Sequence, residues 1–408
     1  MNLVIYPNRL CGSVTPPPSK SQAHRAIISA ALAEGDSMIL NLQMSQDIQA
    51  TLNCMKALGA SATEHGGVIR GFYAKEGKFD TLPELDCCES GSTLRFLIPI
   101  ALVVAGGGIF SGRGRLMQRP QKPYEEMFRA RGIRFERKDG KIEVEGALKP
   151  GRFEIAGNIS SQFITGLLFA LPLLDGDSDI VLTTNLESAG YIESTIVAQK
   201  LFGVNIEVTD YGWHIPGNQR YQPAKTPVMV DADYSNAAFY IVANGLGNEI
   251  SIYDLNQNTA QGDKVIEKLE RRLDRPGEVV IDVCQCPDLV PALAGRAALR
   301  EGQITRIVNA ARLRIKESDR LDTVSTELNK LGAQVEQLED SLVIHGVKQL
   351  KGGVVSSHND HRIAMMLAIV ATRATDRVIL QDAGSVAKSY PGFWEHYYRL
   401  GGQFGIWD

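Results

Sequence analysis

The chain has 408 residues, too many for one ordinary core, so two domains of about 200 residues each are expected. Its 44% hydrophobic and 22% charged residues, with a formal net charge of −4, exclude a broad basic surface for nucleic acid or anionic membrane. Any cationic site must be local and fitted to a small anion.

Residues 2–7 read as a short strand. No basic and apolar leader precedes it, and Cys11, Cys54, Cys87, Cys88, Cys284 and Cys286 show no zinc spacing, so reduced thiols in the cytoplasm are expected. At 16–25, three prolines stiffen the approach to a helix over 20–33 that Ser19 or Ser21 caps. Ser21 and Arg25 stand four apart on one face with Lys20 beside them, and the unpaired N–H groups of the helix start complete an anion site. A strand over 37–42, a helix over 47–58 stopped by Gly59, and a hairpin over 62–72 turning at Gly66-Gly67 follow. Residues 89–93 open a helix over 94–105, whose apolar run contains Pro99 and falls far short of the ~20 residues of a membrane span.

The same grammar recurs. Small or capping residues precede apolar helices over 163–174, 236–246, 289–299 and 361–372, each apolar nearly all round and so expected to be buried. The six helix starts at 19, 90, 160, 234, 287 and 358 are spaced by 71, 70, 74, 53 and 71 residues, which predicts about six copies of one α/β unit, three per domain. Second helices over 51–58, 195–202 and 323–331 end at Gly59, Gly203 and Gly332, and residues 217–227 suit an interdomain crossing.

Chemistry concentrates at the starts. Gly91 permits close backbone approach and Arg95, four residues on, offers a planar fork for phosphate or carboxylate. In the loop 109–120, Arg113 and Arg115 read as solvated charge, whereas Arg119 is constrained by Pro120. Ser160-Ser161-Gln162 offers uncharged donors to phosphate oxygens. Asp288 is either an N-cap or a general base. In Arg312–Leu321, apolar Leu313, Ile315 and Leu321 anchor a run that holds Lys316, Glu317 and Arg320; the cations pull the Glu317 pKa down, and a bound anion would push it back up. His358 and His361 lack a third ligand, so capping is expected there and no metal.

Pro18-Ser19-Lys20-Ser21, Arg25, Gly91-Ser92-Thr93-Leu94-Arg95, Arg119-Pro120, Ser160-Ser161-Gln162, Pro287-Asp288, Lys316-Glu317-Ser318-Asp319-Arg320, Asn359-Asp360-His361-Arg362 and Ala387-Lys388 stand in one order. That ordered set, over the whole chain, resembles the 5-enolpyruvylshikimate-3-phosphate synthases of the enolpyruvyl transferase family. The resemblance implies an α/β fold: a two-domain inside-out α/β barrel, each domain three βαβαββ repeats with buried helices. It divides the chain into 1–13 with 228–408 and 14–227, with the active site in the cleft between them. It implies transfer of the enolpyruvyl group of phosphoenolpyruvate to the 5-hydroxyl of shikimate 3-phosphate. Shikimate 3-phosphate would be held by Lys20, Ser21, Arg25, Ser160, Ser161, Gln162, Ser188, Tyr191, Asp288 and Lys316. Phosphoenolpyruvate would be held by Lys20, Gly91, Arg95, Arg119, Gln162, Arg320, Arg362 and Lys388. Asp288, Glu317, Lys20 and Lys316 would carry the catalysis, Asp288 as base and Glu317 as proton donor to the methylene carbon. The resemblance calls for no metal or organic cofactor, no nucleic acid or membrane partner, and a monomer.

Three departures stand out. Glu89-Ser90 precedes Gly91 and Phe96 follows Arg95 where many members have Asn-Ala and proline, so inhibitor sensitivity, to glyphosate included, does not carry over. Arg312 stands where many members have an asparagine, and its role is left unassigned. The sister enzyme acting on UDP-N-acetylglucosamine mostly carries a cysteine in the loop matching 109–120, and this chain has none there. A non-catalytic anion-binding module on the same fold would have no need of Asp288, Lys316 and Glu317 together.

Overall fold

A computed structural model describes residues 1–72 and 79–407. The chain forms two compact units, Met1–Pro17 with Ala232–Asp408 and Pro18–Asp231. The resemblance implies crossings at 13/14 and 227/228; the packing divides the chain at Pro17/Pro18 and Asp231/Ala232.

Among the described residues each unit contains three sheets, and five of the six sheets share one plan. Two parallel strands joined through a helix are followed by a second helix and an antiparallel hairpin, whose second strand pairs with the second parallel strand. Glu84–Asp86, Gly107–Ser111, Lys141–Glu145 and Arg134–Lys138 lie side by side in this way. So do Gly151–Ile155, Ser178–Leu182, Gly212–Ile215 and Glu207–Thr209, and Val279–Asp282, Ile304–Val308, Leu342–His345 and Gln334–Gln337. Two sheets borrow a strand from far along the chain. Val228–Met229 lies parallel to Asp36–Leu40, and Asn2–Tyr6 lies between Val378–Gln381 and Gln403–Trp407.

The sixth sheet has only Cys11–Val14 and Glu249–Ile252. Here the helix Ile266–Leu273 runs on to Val279–Asp282 with no hairpin between them. The spacing of 53 residues in the repeat has this cause: the fourth unit, which starts at 234, is shortened, not missing.

The repeat helices are buried as their composition requires. Every residue of His361–Ala371 is buried, and Lys20–Leu32, Gly91–Ala105, Ser161–Ala170, Tyr234–Gly245 and Val290–Ala298 are buried over most of their length. Pro99 is tolerated inside Gly91–Ala105 for a specific reason. It has no N–H for the Arg95 carbonyl, and the Tyr124 hydroxyl stands in that place, its one proton shared between the Arg95 carbonyl at 2.9 Å and the Phe163 carbonyl at 2.7 Å. Gly166, on Ser161–Ala170, makes room for this bond: a Cβ there would lie 2.3 Å from the Tyr124 oxygen and 2.4 Å from the Arg95 oxygen. Among the described residues no helix is long and apolar enough to cross a membrane.

Candidate active site

The Pro18–Asp231 unit presents three helix starts. Ser19, not Ser21, is the N-cap of Lys20–Leu32, its side chain accepting from the Gln22 N–H. Ser21 is thereby left to Arg25, whose Nη1 donates to the Ser21 hydroxyl at 2.9 Å and to its carbonyl at 2.7 Å. Arg25 Nε donates to Thr195 Oγ1 at 2.8 Å and Nη2 to the Tyr191 carbonyl at 2.9 Å. Burial pulls the Arg25 pKa down to about 10, so it remains a cation at neutral pH. Lys20 Nζ pairs with Asp47 at 2.7 Å. Ser188, 2% exposed, takes a left-handed φ of 58° just before the helix Ala189–Leu201, which carries Tyr191.

At the second start Ser90 caps the helix through the Thr93 N–H. A Cβ on Gly91 would lie 2.5 Å from Arg119 Nη1, so the Arg119 guanidinium lies against the bare backbone of this turn. Arg95 is 2% exposed and spans the second and third starts. Its Nη1 donates to Gln162 Oε1 at 2.8 Å, Nη2 to the Pro120 carbonyl at 3.1 Å and Nε to Gln121 Oε1 at 3.4 Å, with the guanidinium 4.6 Å from the Phe163 ring centre. Gln162 Nε2 in turn donates to Ser92 Oγ at 2.9 Å. Ser160 caps the third helix, and Ser161 is its first residue. Arg113 and Arg115 are solvent-exposed, Arg113 pairing with Asp86 at 3.3 Å.

The other unit holds a dense charged cluster. Asp288 lies within the 3₁₀ turn Pro287–Leu289, and its side chain makes no cap. Its Oδ1 accepts from Lys316 Nζ at 3.1 Å and Arg320 Nη1 at 2.9 Å, and its Oδ2 from Arg362 Nη2 at 3.1 Å. Burial pushes the Asp288 pKa up, but Arg362, Lys316 and Arg320 outweigh it and hold the carboxyl well below the ordinary range. Burial also lowers the Lys316 pKa, with the Asp288 charge opposing it. Arg320, 1% exposed, reaches Glu317 Oε2 at 2.6 Å and Asp360 at 2.8 Å and 3.3 Å. Lys388 Nζ donates to the Asn359 carbonyl at 2.6 Å, and Arg312 Nη2 to the Cys284 carbonyl at 2.5 Å.

Two groups of sequence-marked residues thus come together, one in each unit. The expected cap at His358 falls instead to Asp360, because His358 takes a left-handed φ of 51° and its Nε2 turns to Glu327 at 2.7 Å. Three buried side chains escaped the sequence reasoning: Asp47 beside Lys20, Gln121 under Arg95 and Thr195 under Arg25. Asp360 stood among the residues expected to cap the last buried helix, and its pairing with Arg320 is what the sequence did not show.

Helix starts lined with serine, lysine and arginine in one unit, and a carboxylate held by three cations in the other, are the groups that recognition of small multiply charged anions and proton transfer call for. The model of the EPSP synthase family, 3-phosphoshikimate 1-carboxyvinyltransferase, matches residues 4–397. The chain belongs to that family. It is 47% identical to the 3-phosphoshikimate 1-carboxyvinyltransferase of Clostridium botulinum over 99% of this chain and 98% of the relative. It is 46% identical to that of Clostridioides difficile over 100% and 99%. In fold it is similar to the EPSP synthase structure from Acinetobacter baumannii, with a TM-score of 0.79 and 24% identity over 100% of both chains.

Proposed function

We propose that this chain transfers the enolpyruvyl group of phosphoenolpyruvate to the 5-hydroxyl of shikimate 3-phosphate, releasing phosphate. The observation that carries the reading is Asp288, ionised and ringed by Lys316, Arg320 and Arg362, with Glu317 on the same Arg320. Ser160, Ser161, Gln162 and Ser188 take the shikimate phosphate and Ser21 and Arg25 its carboxylate, with Tyr191 beside them. Lys20, Gly91, Arg95, Arg119, Gln162, Arg320, Arg362 and Lys388 take phosphoenolpyruvate, Gln162 serving both ligands. The phosphoenolpyruvate anion draws Arg320 and Arg362 from Asp288 and Glu317, which raises both carboxyl pKa values toward working range.

Asp288, with Lys316 beside it, then accepts the 5-hydroxyl proton as that oxygen bonds to C2 of phosphoenolpyruvate. Glu317 gives a proton to C3, making a methyl group. Glu317, left as a carboxylate, takes back a methyl proton to re-form the double bond as the C2–O bond to phosphate breaks, and the departing phosphate carries off the proton that Asp288 had accepted. Both halves are proton transfers around one carbon, stabilised by fixed cations, and they need no redox group. All the residues invoked lie in one chain, so no second copy is required. Six free cysteines suit a reducing compartment such as the cytoplasm.

Phosphate release with phosphoenolpyruvate plus either acceptor tests this. Release is expected with shikimate 3-phosphate and not with UDP-N-acetylglucosamine. Release with the sugar nucleotide alone would assign the sister activity, and none with either would leave a binding module. Asp288→Asn should retain substrate binding and lose roughly 10²–10⁴-fold in kcat, the range of a general base.

A further inference from the structure

The helix Gln46–Ala57 packs against both Lys20–Leu32 and Gly91–Ala105, the helices whose starts carry Lys20 and Gly91. It meets the first of them in two rungs one turn apart. Asp47 pairs with Lys20 at 2.7 Å, and four residues further along each helix Thr51 Oγ1 lies 2.7 Å from His24 Nδ1. The contact then runs on to the other side. Thr51 Oγ1 lies 2.6 Å from Thr93 Oγ1, and the Thr93 hydroxyl donates to Ser90 Oγ at 2.7 Å. Ser90 is the cap of Gly91–Ala105, so this line of side chains ends at the turn against which Arg119 lies.

His24, Thr51, Thr93 and Ser90 are each 1% exposed or less, so every proton along the line needs an acceptor within it. The Thr93 proton goes to Ser90. The Thr51 proton therefore goes to Thr93, and His24 Nδ1 must donate to Thr51. A proton on Nε2 instead would meet no acceptor among the described residues. Burial lowers the His24 pKa, with the charges of Lys20 and Arg25 adding, so the ring carries a single proton at neutral pH. The line runs one way, from His24 to Ser90. Two of the departures noted above belong to it: Ser90 is its end, and the Phe96 ring stands at 88° to the His24 ring with centres 6.3 Å apart.

We propose that His24, Thr51 and Thr93 are positioning residues for phosphoenolpyruvate, a buried line of hydrogen bonds that fixes the Ser90–Gly91 turn against the helix carrying Lys20. The inference rests on the reaction proposed above. Gly91 can receive the ligand on bare backbone only while its turn keeps a set distance from Lys20 and from the Arg119 guanidinium. Arg25 does not depend on the line, because Ser21, Thr195 and the Tyr191 carbonyl hold it directly. Breaking the line therefore loosens the grip on phosphoenolpyruvate and spares that on shikimate 3-phosphate.

The test is steady-state kinetics with each substrate varied in turn, with wild-type turnover measured alongside. Thr51→Val keeps the volume and removes the hydroxyl at the middle of the line. It should raise KM for phosphoenolpyruvate roughly three- to tenfold, the worth of one hydrogen bond, while KM for shikimate 3-phosphate stays within about twofold. Thr51→Ser puts the hydroxyl back without the methyl and should return KM for phosphoenolpyruvate to the wild-type value. Ser90→Ala cuts the line at its end, at a position where many family members have alanine. It should show the same split, and it decides the matter if Thr51→Val does not fold. Nitrogen NMR shifts of the His24 imidazole should place its proton on Nδ1. A purely structural role would lower thermal stability and leave the ratio of the two KM values untouched. No rise in either KM, equal rises in both, a Thr51→Ser as impaired as Thr51→Val, or a His24 proton on Nε2 would overturn the inference and leave the parent reaction standing. No wild-type turnover with shikimate 3-phosphate would overturn both.

Discussion

Gly91 shows how much of the site is decided by single atoms. Its φ is ordinary, so the glycine is not needed for the backbone; it is needed because the Arg119 guanidinium occupies the space a side chain would fill. Gly91→Ala must displace Arg119 Nη1, which would otherwise lie 2.5 Å from the new methyl. An arginine is long enough to shift without unfolding anything, so stability should change little. The expected result is a KM for phosphoenolpyruvate raised roughly tenfold or more, the equivalent of one charge-assisted hydrogen bond, with KM for shikimate 3-phosphate nearly unchanged. Steady-state kinetics with each substrate varied in turn would check this, and equal rises in both constants would refute it. The cations and hydroxyls of the site were legible from sequence because each sits at a helix start or beside one. Their buried partners were not. Gln121 and Thr195 become relevant only when distant segments fold against Arg95 and Arg25, and nothing local to either residue points to that.

At the scale of elements, periodicity identified the buried helices, and caps set their starts to within a few residues. Apolarity on every face is a direct consequence of burial on every face, so composition alone carried that expectation. Strand order was less accessible, because two sheets complete themselves with strands from the far side of a unit. Asn2–Tyr6 is the plainest case: it is an interior strand, paired on both edges, at the very start of the chain. Leu3, Val4 and Ile5 are 1%, 5% and 0% exposed, and burying such side chains contributes about 1.5–3 kcal/mol each. Their sum is comparable with the whole stability of a domain, about 5–15 kcal/mol. Deleting residues 1–6 should therefore unfold the unit that contains Asp288 and yield insoluble or protease-sensitive protein. Retained solubility and an unchanged melting profile would show that the strand is dispensable. The one irregular spacing in the repeat carried structural information too, since the missing length is a hairpin and not a helix. The spacing alone did not say which piece of the unit was absent.

At the scale of the whole molecule, the net charge of −4 is at odds with ligands that are themselves anions, and the resolution lies in where the charges are held. Lys20, Arg25, Arg95 and Arg119 in one unit and Lys316, Arg320, Arg362 and Lys388 in the other are concentrated in two clusters, most of them at or beside helix starts. Arg25, Arg95, Arg119, Arg320, Arg362 and Lys388 are all buried, so salt screens them less than it screens surface charge once a ligand is bound. An approaching anion is still in solvent and fully subject to screening. Raising ionic strength from 0.01 M to 0.3 M shortens the Debye length from about 30 Å to about 6 Å. The expected outcome is a KM for phosphoenolpyruvate that rises severalfold over this range while kcat changes by less than about twofold, because capture is weakened and the bound state is not. Chloride and an inert bulky anion should act alike if screening is the cause. A rise with chloride alone would mean competition for the helix starts themselves, and a flat KM with both would mean that the local cations play no part in drawing the substrate in.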